Sequence, residues 1–509
     1  MIEGLWIGLT TALQPLNLLM VAIGCFAGTF IGMLPGLGPI SAIALMIPIT
    51  YGLDPAAGLI LMAGVYYGAI FGGSTSSILI NAPGVAGTVA TAFDGYPMAR
   101  KGLAGKALAI AAYASFSGGT IAAVFLLLAA PALASVALSF QSPDYFALMV
   151  LGLTAVSAFA GRGQFLKALL MTVLGLMLAT VGQDVSSDVS RFTFGSIDLL
   201  DGISFLLLAM ATFALSEALM LVLKRERPSA EAEKALRGGM GTLKLDRREV
   251  REIVPVIGRS SLLGFLIGVL PGAGATIASF LAYGMERHLA PAEKKEEFGK
   301  GSLRGLAAPE TANNAACSGS FVPLLTLGIP GSGTTAVMLG ALISFGIQPG
   351  PRLFVERPDV FWSVILSMYI GNVILLILNL PLIPYIARLL ALPRRILIPL
   401  ILFFSLTGVY LISFNTFDIQ LMVLFAIVAV VLRLAGFPMA PMILAFVLGR
   451  LMEENLRRSL LLWDGSLAFL WERPITLGIT LLTLLVLATP VFQFVQERRH
   501  RLVTAGEGG

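Results

Sequence analysis

Apolar residues in this chain come in long unbroken runs, without the strict alternation of a half-buried strand. The runs fall near residues 15–34, 56–72, 107–138, 144–160, 164–182 and 203–223. After a charged stretch they resume near 261–283, 317–348, 360–390, 396–413, 417–435, 438–449 and 475–494. Roughly 20 apolar residues carry a helix across a bilayer, so the pattern predicts an all-α polytopic membrane protein of about 11–14 segments. The interruption from Lys224 to Arg259 holds ten Lys/Arg, among them Arg225, Arg227, Arg247 and Arg248, interleaved with acids. It divides the chain into a first membrane half (1–223), a charged cytoplasmic connector (224–260), a second membrane half (261–495) and a polar tail (496–509).

The two halves share a motif. Residues 28–38 read GTFIGMLPGLG and residues 264–274 read GFLIGVLPGAG. Gly32, Pro35, Gly36 and Gly38 thereby match Gly268, Pro271, Gly272 and Gly274. Gly at four-residue spacing lets helix backbones approach closely in lipid. Pro then ends the helix, and the following Gly pair tolerates strained backbone. Backbone freed in this way is tolerated at membrane depth only inside protein or along a wet cavity. A second correspondence follows: NAPGVAGT at 81–88 and GIPGSGTT at 328–335, so Pro83, Gly84 and Thr88 match Pro330, Gly331 and Thr335. Paired Gly/Pro breaks in two halves are the best sequence pointer to a transporter's binding site.

Composition sharpens the class. The hydrophobic share is 57% and the charged share 12%, against roughly 45–50% and 25% in soluble domains. Two Cys, Cys25 and Cys317, exclude a disulfide scaffold and read as small buried hydrophobes. The net charge of +5 comes from short basic clusters between apolar runs, as in cytoplasmic loops, and points to no nucleic acid. The loops around Arg100–Lys106 and Arg162–Lys167 are expected inside, and the acidic loop 183–202 outside. The basic loop 286–304 is also expected inside, which makes 261–283 a re-entrant hairpin with its tip at Pro271–Gly272. No basic residue precedes Arg100, so the amino end is expected outside and its first apolar run retained, not cleaved as a signal. The halves then enter from opposite sides, as an inverted repeat.

No phosphate-binding GxxxxGK[ST] occurs, and His288 and His500 sit in charged loops, so neither ATP hydrolysis nor a His-based catalytic or metal site is expected. What remains is hydroxyls, amides and backbone dipoles. Half-helix N-termini stabilise carboxylates, and freed carbonyls with hydroxyls suit Na⁺. The substrate-binding candidates are Ser74, Thr75, Ser76, Ser77, Asn81, Thr88, Asn313, Asn314, Ser332, Thr334 and Thr335, with no cofactor. The break residues named above, together with Glu310, are candidates for holding the coupling ion, Na⁺ or H⁺. Glu310 reads either as an ionisable group in a membrane segment, functional by default, or as a loop residue paired after Arg304.

The GxLPGxG motif in both halves, SSILINAPG (76–84), DGYPMARKG (94–102) and GSLRGLAAPETANNA (301–315) together resemble the TctA family. That family is the large membrane subunit of the tripartite tricarboxylate transporters. The resemblance implies a multi-pass protein of the bacterial inner membrane that takes up a di- or tricarboxylate by cation-coupled alternating access. It also implies two protein partners, a TctB-like small membrane subunit and a TctC-like periplasmic solute-binding protein. A channel or exporter of the same fold, and a membrane enzyme acting on lipid, are the competing readings.

Overall fold

The structure is a computed structural model that describes residues 2–34, 37–158, 164–184, 187–223, 241–272, 274–388 and 394–488. Pro35, Gly36, Arg162, His500, the connector from 224 to 240 and the tail 496–509 lie outside the described residues. Of the described residues, 81% are helical. Strand is confined, among the described residues, to the antiparallel pair Gly182–Gln183 and Ser190–Arg191. Seven described helices are long and apolar enough to cross a membrane, and six shorter apolar helices join them. The chain is an all-α multi-pass membrane protein.

The numbered helices are α1 (Ile2–Ala12), α2 (Pro15–Met33), α3 (Gly38–Thr50), α4 (Pro55–Ile80), α5 (Val89–Met98), α6 (Ala104–Ala137), α7 (Ser142–Ala158) and α8 (Phe165–Ala179). The sequence continues through α9 (Phe205–Leu223), α10 (Arg247–Val269), α11 (Gly274–Leu289), α12 (Leu303–Leu327) and α13 (Gly333–Ser344). It ends with α14 (Pro358–Asn379), α15 (Arg394–Ser413), α16 (Thr416–Leu434), α17 (Ala440–Leu462) and α18 (Pro474–Ala488). They form two compact units, 1–138 with 204–431 and 139–203 with 432–509. The second unit takes α7 and α8 from the first half of the chain and α17 and α18 from the second.

In the first unit the duplication is structural. A methyl group on Gly28 would sit 2.3 Å from Val65 O, and one on Gly32 2.1 Å from Ala69 O, so α2 lies backbone-to-backbone on α4. The same test on Gly264 and Gly268 meets Ala312 O at 2.4 Å and Ala316 O at 2.3 Å, which places α10 on α12 in the same way. Small residues make this approach possible, and close packing replaces the hydrophobic effect that lipid cannot supply. α4 is capped by Asn81 in the left-handed region (φ 51°), its N–H donating to Ser76 O. α12 ends the same way on Gly328 (φ 69°), whose N–H donates to Pro323 O. All four contacts of α4 and α12 differ by one constant offset between the halves.

α4 and α12 run antiparallel. Tyr67 on α4 bonds Ser318 on α12, and Ser74, farther along α4, bonds Glu310, earlier on α12. The corresponding helices of the two repeats thus point in opposite directions, which is the inverted arrangement.

The expected hairpin at Pro271–Gly272 is present as α10, a turn and α11. Its arms return to one charged layer, where Arg259 Nε donates to Glu286 Oε1 (2.7 Å), Lys294 pairs Glu252 (2.6 Å) and Arg304 lies near both acids. Lys106, at the start of α6, pairs Glu249 in the same layer (2.6 Å).

The second unit packs α17 on α8 and α7, with Gly175 against Met442. One of its buried charges is Asp144, which accepts from Arg473 Nη2 (2.6 Å), Thr476 Oγ1 (2.6 Å) and the Gln141 N–H (2.9 Å). Removing one partner of a buried pair leaves an uncompensated charge, so Arg473→Leu is expected to cost about 3–5 kcal/mol. A clear fall in Tm of the detergent-solubilised protein is the measurement; an unchanged Tm would refute the assignment.

Candidate functional site

The site is built where regular helix stops. Within each repeat the last turn of the helix carrying the Gly motif abuts the break that ends the long helix. A methyl on Gly84 would lie 1.8 Å from Gly32 O, and one on Gly331 2.9 Å from Gly268 O. The Gly272 N–H donates to Gly331 O (3.0 Å). Across the repeats, each break faces the other repeat's long helix. The backbone at Gly87 lies against the Asn313 side chain on α12, a methyl there meeting Oδ1 at 2.9 Å. On the other side Ser332 Oγ lies 3.4 Å from the Tyr66 hydroxyl on α4. Both breaks therefore lie at the crossing of α4 and α12.

The first break is closed by its own hydroxyls. The Gly84 N–H donates to Ser76 Oγ (3.1 Å). Ser77 Oγ lies 2.8 Å from Gly73 O and 2.9 Å from Thr88 Oγ1, while Thr88 Oγ1 also reaches Val85 O (2.9 Å). The second break leads into α13 through a reciprocal cap, in which Ser332 N–H donates to Thr335 Oγ1 (2.9 Å) and Thr335 N–H to Ser332 Oγ (3.2 Å). Such a cap fixes the direction in which the first free N–H groups of a helix point.

Beside these breaks lie amides without partners. Asn313 is fully buried, yet neither Nδ2 nor Oδ1 has a hydrogen-bond partner. Asn314 Nδ2 donates to Glu310 O (3.0 Å), but its Oδ1 is unpaired, as is Thr311 Oγ1. Buried polar atoms are nearly always satisfied, so an unpaired carboxamide against a helix break is a candidate place for a polar ligand. Tyr66, Tyr67 and Phe321 pack at the crossing of α4 and α12, with ring centroids 6.0–6.2 Å apart.

Glu310 lies within α12, in its second turn after Arg304, and is fully buried. The loop reading of this residue does not hold. Its carboxylate accepts from Ser74 on α4 (2.7 Å), Ser115 on α6 (2.8 Å) and Thr91 on α5. No hydroxyl has to leave its own helix to do this, because α4, α5 and α6 all pack on α12 there.

The expected residues thus separate by task. Asn313 lies against the first break and Ser332 in the second, while Asn314 and Ser74 bond Glu310. Ser76, Ser77, Thr88 and Thr335 close the breaks, and Gly32, Gly268, Gly84 and Gly331 allow the close approaches. Gly38 and Gly274 open α3 and α11 at positive φ (56° and 60°). Pro83 and Pro330 precede Gly84 and Gly331 in the breaks, and Pro271 and Gly272 form the hairpin turn. Thr75 and Thr334 are buried. Asn81 is exposed and acts as the left-handed helix cap.

Sequence reasoning did not single out Thr91, Ser115 or Tyr66. Tyr66 had a signal, since the offset between the repeats sets it opposite Asn313. Asp94 is a further omission: its Oδ1 accepts from the N–H groups of Gly299, Gly301 and Ser302 (2.7–2.9 Å). The motifs at 94–102 and 301–315 are therefore halves of one contact that fixes the start of α12.

The comparisons agree with this geometry. The chain is 43% identical over 502 residues, 99% of its length and 98% of the relative's, to an "Uncharacterized 52.8 kDa protein in TAR-I ttuC' 3'region" of Agrobacterium vitis. An "Uncharacterized protein in TAR-II ttuC' 3'region" of the same organism is 41% identical over 239 residues, 47% of this chain and 98% of that one. No solved structure matches. The profile of the tripartite tricarboxylate transporter TctA family matches residues 18–444, which span both repeats and every site residue above. The chain belongs to the TctA family, the large subunit of tripartite tricarboxylate transporters.

Proposed function

We propose that this chain carries a di- or tricarboxylate into a bacterial cell by alternating access, driven by a cation gradient, Na⁺ or H⁺. It works in the inner membrane with a small membrane subunit and receives substrate from a periplasmic solute-binding protein. The observation that carries the reading is the unpaired Asn313 carboxamide, fully buried against the first helix break at Gly87. The carboxamide nitrogen donates to a substrate carboxylate, and the first turn of α13 adds the positive end of a helix. Antiparallel repeats supply the alternation, because the two breaks can exchange roles around one fixed site.

The test is uptake of labelled di- and tricarboxylates into proteoliposomes holding the complete complex and its binding protein. Accumulation above the external concentration under an imposed cation gradient is the expected result. Mere downhill equilibration under every gradient would make the protein a channel and overturn the importer reading.

A further inference from the structure

We propose that Glu310 is a proton-binding site and that the coupling ion is H⁺. The coupling half of this rests on the importer reading, whereas proton binding by itself does not.

The hydrogen-bond geometry is that of a group built to gain and lose a proton. Ser74 and Ser115 both contact Oε2, at 2.7 and 2.8 Å, and Thr91 contacts Oε1. With all three hydroxyls donating, the carboxylate form is held by strong charge-assisted bonds. Ser74 Oγ has a second acceptor in Ile70 O at 3.1 Å. When a proton arrives on Oε2, the Ser74 hydroxyl turns to Ile70 O and accepts from the new O–H. One O–H bond forms, one donor rotates, and no heavy atom has to move.

A small cleft lined by Phe71, Ser74, Thr75, Leu108, Ser115 and Asn379 borders the two serines.

Among the described residues no cation pairs with Glu310. Of the titratable groups on the helices packed around it, Tyr66 and Tyr67 on α4 are engaged by Ser332 and Ser318. On α5, Asp94 is held by the amides of residues 299–302, and Tyr96 is half-buried near the end of the helix. On α6, Lys106 pairs Glu249 and Tyr113 is exposed. On α12 itself, Arg304 lies against Glu252 and Glu286, and Cys317 is a buried thiol two turns away. A carboxylate buried without a counter-charge is costly, so a change in its protonation shifts the relative stability of the packings of α4, α5 and α6 on α12. That makes the proton a lever on conformation.

The experiment has two independent readouts on the intact protein. The first is pH-difference infrared spectroscopy of the wild type, Glu310→Gln and Ser115→Ala. A carboxylic C=O signal should appear on acidification, vanish in Glu310→Gln, and move to higher pH in Ser115→Ala, which loses one donor to the charged form. The second is uptake by the reconstituted complex. A pH gradient without Na⁺ should drive accumulation, and Glu310→Gln should lose it at least tenfold while retaining exchange of labelled for unlabelled substrate. An infrared signal unchanged by Glu310→Gln and Ser115→Ala would overturn the site. Accumulation driven by Na⁺ alone would overturn H⁺ coupling. No accumulation under either gradient, with the infrared signal intact, would defeat the importer reading and leave the proton site standing.

Discussion

Gly32→Leu is expected to leave no folded protein. A side chain at this position would begin 2.1 Å from Ala69 O and 2.4 Å from Ala69 Cα, both backbone atoms of a neighbouring helix. Overpacking a core typically costs about 1–3 kcal/mol where side chains can shift. Here nothing can, because α4 is buried along its whole apolar length. The residues beside the clash, Gly28 and Gly72, are themselves in backbone contact. Separating α2 from α4 would also pull Gly84 away from Gly32 and open the first break. Gel filtration in detergent should show aggregate in place of a monodisperse peak. Gly284→Ala is the control: a methyl there meets nothing within 4 Å, and Ala for Gly in a helix is worth about 1 kcal/mol in favour of folding. A monodisperse, active Gly32→Leu protein would show that the α2–α4 contact is not as close as described.

Asn313→Ala separates binding from folding. Since its carboxamide has no partner inside the protein, removing it breaks no internal bond, and stability should stay within about 1 kcal/mol of the wild type. Its bonds to a charged substrate would be worth about 1.5–3 kcal/mol, so uptake at limiting substrate should fall roughly ten- to hundredfold. Thr335→Ala makes the opposite trade, because Thr335 caps α13; a lost cap costs about 1 kcal/mol of stability. If Asn313→Ala transports normally, the substrate lies elsewhere.

Much of this was readable in the residues. The apolar runs foretold a helical membrane protein, and the run at 317–348 concealed a break only because its Gly and Pro are themselves apolar. The repeated LPGxG marked where α2 and α10 end, and the paired Pro-Gly turns marked where α4 and α12 end. The charge on loop 286–304 foretold that α10 and α11 return to one side, since Arg259 and Glu286 needed a shared polar layer. These features follow from local chemistry: chain length against bilayer thickness, Pro against helix, charge against lipid.

The distribution of tasks within the site was not readable. Ser74, Ser76 and Ser77 look alike as a cluster, but helix periodicity turns Ser74 toward Glu310 and the other two toward their own break. Thr91 and Ser115 are ordinary hydroxyls until α5 and α6 pack on α12. Asn81 and Asn313 share a side chain, yet one is an exposed cap and the other a buried, unpaired amide. The sequence alone was enough for the class of protein, the duplication and the places where helices stop, because each depends on neighbours along the chain. Which hydroxyl closes a break, which holds Glu310 and which amide is left for a ligand depend on contacts between residues as far apart as Ser74 and Glu310. Only the antiparallel packing of the two repeats brings those together.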